Sequence, residues 1–405
     1  MLKKYFLNNK KRNFSTASIW IKGGSDMDST GKKGINKILC SLLTRGCEGF
    51  NNFTLSEYIE SYGAELNQEV FEDGISISIK SLNEHFSKLF PLLDLIINKP
   101  ILSETEFKKV KKSSIDHIKK DKENPFNICF EKWRKIVYSN HPYAFNTIGN
   151  ANDVSKITYE DVLLEFKNFK NREKYLISNN PEINGENFGT LEKKILKEKS
   201  DPLNHNLNTT NRFDYINNDS NQTIIMMGDQ TCSRRSSEYL PLKVLESYLS
   251  YGMSAALFKL FREKHGITYD LGVYYPIRSG NAPFLIYLSV SNEQALFAFE
   301  LLSTLWKNLL FNPLTDAEIF LAKEKLKGSF LLGNQSLDEI LQRKIQLVSY
   351  GISPISENDL NSKIEEISSL DILKLTNKYF SKPFLSISGN KNICLEISNR
   401  WKKNF

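Results

Sequence analysis

The pattern of apolar and polar positions predicts the same series of elements in both halves of the chain. The alternating runs GISISIK at 74–80 and FLIYLSV at 284–290 each predict a strand with one buried face. A long segment with apolar residues at helical spacing follows each run, from Asn83 and from Asn292, and predicts an amphipathic helix. Strand and helix therefore follow one another in the same order twice.

A second helix with the same start signal follows in each half. The signals are a proline, a Ser or Thr at the N-cap and a Glu three residues later: Pro100, Ser103 and Glu106 in the first half, Pro313, Thr315 and Glu318 in the second. Both members of this capping box are displaced by 212 positions (315 − 103 and 318 − 106). Shared order and shared cap chemistry predict an internal duplication.

The predicted fold is α+β, with two homologous domains that each pack helices on one face of a mostly antiparallel sheet. Runs such as TASIWIKGG and TIIMMGD supply further strands beside the helix pairs. An Asn-rich stretch punctuated by Pro and Gly separates the halves and predicts a linker. We place the first domain at 1–200, the linker at 201–222 and the second domain at 223–405.

The segment GINKILCSLL at 34–43 predicts a helix with one buried face. Its apolar residues recur at helical spacing: Ile35, Ile38, Leu39, Leu42 and Leu43. Lys37, Cys40 and Ser41 lie between them, with Lys37 and Ser41 four residues apart on one side. This spacing is the one at which two side chains of a helix can share a ligand.

Composition narrows the class of protein. Of the 405 residues, 40% are hydrophobic and 25% charged, and no apolar run is long enough to span a membrane. The basic start MLKKYFLNNKKRN lacks the apolar core of a signal peptide, so we expect a cytoplasmic protein with no membrane partner. The net charge of +7 is spread among mixed charges, and the dense run at 108–122 has helical spacing, so we expect no nucleic-acid partner.

Cysteine and histidine offer little metal chemistry by themselves. The five cysteines are scattered without a CxxC pair, which predicts reduced and buried thiols. No two of the five histidines lie within four residues of each other, so none repeats the i, i+4 geometry of a helical zinc site.

Four stretches give the chain its resemblance to a known family. They are WIKGGSDMDSTGKKGI, LSEYIESYGAELN, HPYAFNTIGNANDVSKITYEDV at 141–162 and YGMSAALFKLFREKHGITYDLG at 251–272. In this order and spacing they resemble the insulinase-like, inverted-zincin peptidases of the pitrilysin and mitochondrial-processing-peptidase type. The resemblance implies two homologous domains of the LuxS/MPP-like metallohydrolase type, enclosing a chamber that holds an unfolded peptide.

The resemblance also identifies a degenerate metal site. Active members carry His-x-x-Glu-His on the first helix, two zinc ligands and a general base, with a later third ligand. That motif falls on Lys37, Cys40 and Ser41, and the third ligand falls near His117. None of the three roles survives, because an ammonium and a hydroxyl are poor zinc ligands and a thiol does not replace a carboxylate base. We therefore expect this chain to bind no metal, although Cys40 with His117 would make an incomplete residual pair.

The resemblance assigns other residues to substrate. Arg262 and Tyr269 match the family's pair that hydrogen-bonds the peptide near its scissile carbonyl, where two donors stabilise developing negative charge. Glu65 and Asn67 lie in GAELNQEV, where family members pair backbone to backbone with substrate. Ordinary roles remain open for all four, as a helix-end arginine, a strand tyrosine and polar residues of an edge strand.

Together these features predict a non-catalytic, substrate-binding subunit of a heterodimeric zinc peptidase acting on peptides or unfolded proteins. A homologous partner chain with an intact His-x-x-Glu-His helix would hold the zinc, and this chain would contribute Arg262 and Tyr269. Two alternatives remain: an inactive scaffold subunit of a larger complex, and a homodimer that binds peptides without cleaving them. An independently active peptidase is the least favoured reading, since it needs a metal site that the sequence lacks.

Overall fold

The computed structural model describes residues 2–7, 13–180, 183, 186–187, 211–332, 336–353 and 357–405. Within these residues the chain forms two compact units, each built around one large sheet. No helix among them is long and apolar enough to cross a membrane.

The elements of both units follow in chain order. The strands are β1 (Leu2–Phe6), β2 (Phe14–Lys22), β3 (Gly46–Cys47), β4 (Phe50–Asn51), β5 (Glu65–Val70), β6 (Gly74–Leu82), β7 (Lys174–Ser178), β8 (Glu186–Asn187), β9 (Phe213–Asn217), β10 (Gln222–Gln230), β11 (Thr268–Tyr274), β12 (Pro283–Ser291) and β13 (Phe384–Gly389). The α-helices are α1 (Ile35–Leu43), α2 (Asn52–Ser61), α3 (Asn83–Leu89), α4 (Pro91–Asn98), α5 (Glu104–Asp121), α6 (Pro125–Tyr138), α7 (Ala151–Lys156), α8 (Tyr159–Lys170), α9 (Tyr239–Ser250), α10 (Ala295–Phe311), α11 (Asp316–Leu332), α12 (Leu337–Ser349), α13 (Glu357–Glu365), α14 (Ser369–Phe380) and α15 (Lys391–Asn404). Phe258–Lys264 forms a π-helical turn.

The two large sheets share one strand order. The first runs β5-β6-β2-β7-β1-β8 and the second β11-β12-β10-β13-β9. The five strands of the second sheet correspond in order to the first five of the first sheet, with long antiparallel pairs at one end and a parallel pair after them, β7 with β1 and β13 with β9; the first sheet adds β8, parallel to β1. Helices α5 and α11 begin 212 residues apart (316 − 104). This agreement supports the predicted internal duplication, and the predicted α+β class is confirmed.

Alternation along the strands divides each sheet between two layers of helices. On β2, Ile19 and Ile21 join the core that contains α1, while Trp20 between them joins Leu341 and Ile345 of α12 on the opposite face. The second sheet likewise buries one face under α9, α10, α11 and α14. Its other face carries small side chains such as Ser386, which hydrogen-bonds Cys129 of α6 at 3.5 Å.

Helices α6 and α12 make the two units interleave along the chain. Residues 121–144, which include α6, belong to the second unit, and residues 333–354, which include α12, belong to the first. The predicted first domain at 1–200 thus contributes a helix to the second unit, and the predicted second domain returns one. Of the predicted linker, residues 201–210 lie outside the described residues, and Phe213–Asn217 is strand β9.

Three local predictions meet different outcomes. The capping box of Thr315 and Glu318 forms, with each backbone N–H accepted by the other side chain. Its predicted counterpart at Ser103 is wrong, because the Glu106 carboxylate pairs instead with Arg45 at 2.9 Å and Lys109 at 2.7 Å. The basic N-terminal segment, for which no strand was predicted, supplies β1 in parallel with β7.

Candidate functional site

The loop before α1 fixes the position of that helix. The Asp28 carboxylate accepts hydrogen bonds from the backbone N–H of Gly34 at 2.6 Å and from the backbone and side-chain N–H groups of Asn36 at 3.1 and 2.7 Å. Gly34 has φ 99°, and a Cβ there would meet the Ile148 carbonyl at 2.6 Å, so only glycine fits. The hydrogen bonds to the Asp28 carboxylate and the backbone conformation of Gly34 together hold the first turn of α1 in place.

An arginine from the end of the first half supports the same loop. The Arg172 guanidinium donates to the Gly23 carbonyl and to Asn36 Oδ1, both at 3.0 Å, and pairs with Glu165. Burial, with the charge of Asp73 second, raises the pKa of Asp26 in this loop from 3.8 to about 7. Sequence analysis did not identify Arg172, because the two loop groups that it holds, the Gly23 carbonyl and Asn36, lie more than a hundred residues away in the chain.

Helix α1 carries Lys37 and Ser41, two of the positions that the resemblance assigns to the lost metal site, on a half-buried side. Its apolar residues are buried as predicted, while Lys37 and Ser41 are each half-buried. The Ser41 hydroxyl donates to the Lys37 carbonyl at 2.9 Å, so it is occupied by the helix backbone. Neither an ammonium nor a serine hydroxyl is among the imidazole, thiolate and carboxylate ligands that hold zinc in proteins.

Cys40, which the resemblance places at the position of the general base, is fully buried. Burial raises its pKa to about 12; the Lys37 charge opposes this and that of Glu69 adds to it. The side chain is therefore a neutral thiol at physiological pH, neither a thiolate ligand nor a proton acceptor. Glu69 is on β5, so this effect depends on the packing of β5 against α1.

His117 does not complete a metal site. It is exposed on α5, whose buried residues are Phe107, Val110 and Ile118. Throughout the part of the chain that the structure describes, no group of three His, Cys, Asp or Glu side chains is arranged to hold a metal ion. The residues at the family's zinc positions therefore do not fit zinc.

Strand β5 carries Glu65 and Asn67 at the edge of the first sheet. Among the strands that the structure describes it pairs only with β6, and both side chains are exposed. A cavity of about 320 Å³ opens beside them. It is lined by Thr44, Leu55, Ser56, Ile59, Glu60 and the run from Ala64 to Gln68.

Helix α2 supplies half of this cavity, and the sequence prediction missed it. Of its lining residues, Leu55 and Ile59 are buried, while Ser56 and Glu60 are exposed. The signal was present, because LSEYIESYGAELN alternates these buried and exposed residues at helical spacing immediately before β5. A sheet edge and an adjacent cavity can together hold an extended peptide by its backbone and one side chain.

Arg262 lies in the second unit on the π-helical turn. Its side chain is exposed, with the guanidinium carbon 5.2 Å from the centre of the Phe258 ring. The helix begins at Ala256 and ends before Gly266, which has φ 61°. A wide π turn is uncommon and is often found at functional sites.

Tyr269 follows on β11, as predicted. The pairing of β11 with β12 shifts register between Thr268 and Asp270, so the Tyr269 backbone lies at an irregularity of the strand. The structure thus brings Lys37, Cys40 and Ser41 together beside β5 in the first unit, and it places Arg262 and Tyr269 in the second.

Comparison with known proteins agrees with this fold. Residues 5–151 match the family described as "Insulinase (Peptidase family M16)", and residues 182–326 match "Peptidase M16 inactive domain". The chain is 23% identical to an "Uncharacterized zinc protease" of Rickettsia felis, covering 89% of this chain and 88% of that protein. A zinc protease of the same description from Bacillus subtilis is 22% identical and covers 95% of each chain.

Solved structures show the same architecture. A peptidase M16 inactive domain from Pseudomonas fluorescens superposes with a TM-score of 0.82 and 19% identity, covering 95% of both chains. A protease from Helicobacter pylori gives a TM-score of 0.81 at 16% identity, covering 96% of both. The two family matches, one in each half, confirm the predicted resemblance: the chain belongs to the insulinase-type peptidase family M16.

Proposed function

We propose that this chain is the non-catalytic, substrate-binding subunit of a zinc peptidase whose metal site lies in a homologous partner chain. The proposal rests on a contrast within the first unit between the residues at the zinc positions and the edge of the sheet. The positions that would bind zinc hold Lys37, Ser41 and a thiol with a pKa of about 12, whereas the sheet edge at β5 remains open beside a cavity.

Each part has one role in the proposed complex. An extended peptide adds to β5, with Glu65 and Asn67 next to it and one side chain in the cavity. Arg262 and Tyr269 donate hydrogen bonds to the carbonyl oxygen of the peptide bond that is hydrolysed at the partner's metal site. Neither donor needs to be a nucleophile, so a chain that has lost the metal ligands still contributes to cleavage. The relatives described as zinc proteases support a peptidase context.

The first experiment is gentle purification of the tagged chain from its own cells, followed by measurement of mass, subunit composition and zinc. We expect a complex of near-equal chains in which the second carries His-x-x-Glu-His and the zinc. A zinc-free monomer or homodimer would contradict the proposal and favour a scaffold or peptide-binding role.

In that complex, Arg262→Ala is expected to lower peptide cleavage by about 100-fold while assembly is retained, since one oxyanion-type donor is lost. Lys264→Ala is the matched control, because Lys264 is an exposed cation on the same π-helical turn. Equal activity of the two variants would remove Arg262 from the site.

A peptide-binding measurement distinguishes the proposed substrate-binding subunit from an inactive scaffold subunit. We expect the purified chain to raise the fluorescence anisotropy of a labelled extended peptide, because β5 offers unpaired backbone groups. The same peptide with N-methylated backbone amides is the control, since it cannot complete a strand ladder. Identical binding of the two peptides would exclude β5 as the site.

A further inference from the structure

The half-buried side of α1 runs alongside strand β5. Lys37, Ser41 and Thr44 follow one another on this side at spacings of four and three residues, and each is half-buried. Helix α1 packs against β5, and Thr44 lines the cavity together with the run from Ala64 to Gln68. The C-terminal end of α1 therefore lies beside the beginning of β5.

Lys37 lies near the other end of β5. It precedes Thr44 by seven residues, which corresponds to about 10 Å along a helix. Burial raises the pKa of the Cys40 thiol, the Lys37 charge opposes this and the Glu69 charge adds to it, so both charges lie close to the same thiol. Glu69 comes one residue before the end of β5. The Lys37 ammonium is therefore at the Glu69 end of the strand, and the cavity is at the opposite end.

Alternate residues of β5 direct their backbone groups away from the sheet. The Phe71 N–H donates to the Gly74 carbonyl at 2.8 Å in the hairpin that joins β5 to β6. Hydrogen-bonded and unbonded positions alternate in an antiparallel pair, so the N–H and C=O groups of Leu66, Gln68 and Val70 point outward. A peptide that adds to β5 pairs with these groups. It spans about 13 Å between Leu66, at the cavity, and Val70 at the end of the strand.

The Lys37 ammonium forms no hydrogen bond or ion pair with a side chain or carbonyl of the described residues. The Ser41 hydroxyl is already used, because it donates to the Lys37 carbonyl at 2.9 Å. An ammonium has three donors and binds most strongly to a charged acceptor. Other cations around α1 each have an acceptor within the chain: Lys32 with Asp161, Lys33 with the Asp28 carbonyl, Arg45 with Glu106 and Arg172 with Glu165.

We propose that Lys37 binds a carboxylate of the peptide at β5, an inference that rests on the proposed function. The ligand is the C-terminal carboxylate of a peptide that ends near Val70, or an Asp or Glu side chain of the peptide that faces α1. A carboxylate matches the ammonium in charge and accepts its hydrogen bonds. Lys37 lies at a position that the resemblance assigns to a zinc ligand, so the first unit keeps a positive charge there without a metal. Glu69 is exposed, so water and salt screen its repulsion of the ligand.

Binding of three labelled peptides to the purified chain, measured by fluorescence anisotropy, tests the proposal. They share one extended sequence with no other acidic residue: the first ends in a free carboxylate, the second in an amide, and the third in an amide after a single Glu. Each is made in several lengths, because the distance from the cavity to Lys37 fixes where the carboxylate must lie. We expect the first or the third to bind at least about 10-fold more tightly than the second, since a charge-assisted hydrogen bond is gained.

Substitutions at Lys37 show whether this preference depends on its charge. Lys37→Met keeps an apolar stem of similar length, and we expect it to abolish the preference while the affinity for the amide peptide stays the same. Lys37→Arg keeps the cation and should retain the preference. Lys112→Met is the matched control, because Lys112 is an exposed cation on α5 that does not line the cavity. Circular dichroism and thermal unfolding check that each variant folds.

The possible results separate this inference from the proposed function. A preference for the first peptide identifies the C-terminal carboxylate as the ligand, and a preference for the third identifies a side chain; either supports the proposal if Lys37→Met abolishes it. Equal binding of all three peptides, or a preference that persists in Lys37→Met, would overturn the inference and leave peptide binding at β5 intact. If none of the peptides binds, the proposed function and this inference both fail.

Discussion

Asp26 and Asp28 lie in the loop before α1, and burial raises the pKa of both, to about 7 and about 6. An acid whose pKa is raised by folding binds more protons in the folded than in the unfolded chain between the two values. Stability contributed by such a group falls as the pH rises through that window and stays low above it. These two carboxyl groups therefore contribute less to the stability of the folded chain at neutral than at acidic pH.

We expect Asp26→Asn to stabilise the chain at pH 8 and to have little effect near pH 4. The shift from 3.8 to about 7 sets a ceiling of about 4 kcal/mol, and because Asp26 keeps part of its surface in water we expect about 2 kcal/mol. Asparagine can still accept the hydrogen bond from the Gly24 N–H. Denaturant unfolding at both pH values measures the difference.

The control is Asp116→Asn, which removes an exposed acid of α5. It should change stability by less than about 0.5 kcal/mol at either pH. A stabilisation by Asp26→Asn of the same size at pH 4 and pH 8 would show that the carboxylate charge is not its cause.

Some properties of the site residues were predictable from sequence and others were not. The burial of Cys40 could be predicted from helical spacing, because its neighbours form one apolar stripe along α1. The Glu69 charge near Cys40 was not predictable, since it depends on how β5 packs against α1. Arg172 was missed for the same reason: its contacts join residues distant in the chain.

Among the elements, α5 and α11 are duplicates that start differently. Thr315 and Glu318 complete a capping box before α11, whereas the Glu106 carboxylate near the start of α5 is drawn to Arg45 and Lys109. The sequence pattern is the same in both, so only the tertiary partners of Glu106 decide the outcome. Local cap signals predict helix starts well but do not predict which side chain completes them.

We expect Thr315→Ala to lower the free energy of unfolding by about 1 kcal/mol, the usual cost of a lost N-cap. Ser103→Ala, the duplicate position, should cost less than about 0.5 kcal/mol because no reciprocal box is lost there. Urea unfolding of the two variants under one condition compares them directly. A larger loss for Ser103→Ala would contradict the assignment of the intact box to α11.

The predicted elements were mostly of the right type, but the π-helical turn and strand β1 were not predicted. The segment before Arg262 has helical spacing, yet it forms a π-helical turn at Phe258–Lys264, and a window of 3.6-residue spacing does not distinguish the two. Strand β1 is short and half exposed, so its composition resembled a basic tail. Its parallel partner β7 lies more than 160 residues away.

For the whole molecule, the interleaving of the units was the main feature that sequence did not predict. Helix α12 has the same amphipathic pattern whichever sheet it covers, so nothing in its residues assigns it to the first unit. The contacts that do so are tertiary: Asp338 accepts from Thr16 at 2.8 Å, and the Tyr350 hydroxyl donates to Asp73 at 2.8 Å.

We expect the fragment 1–200 to fail to fold alone, because it lacks α12 and leaves the Trp20 face of its sheet uncovered. Fragments 1–200 and 201–405 expressed together should recover a folded pair, since both units are then complete. Circular dichroism and cooperative thermal unfolding report the result. Full-length chain cut at the same point after folding is the control and should stay associated; a stably folded 1–200 alone would contradict the expectation.

The position of α12 late in the chain also determines when the first unit can be completed during synthesis. The last central strand of the first sheet, β7, ends at residue 178, and the helix that covers it ends at residue 349. The ribosome must add 171 further residues (349 − 178), which at the usual elongation rate takes roughly 10–35 s. Throughout that interval the nascent first unit has an uncovered apolar sheet face, and we expect it to be prone to aggregation until the chain is nearly complete.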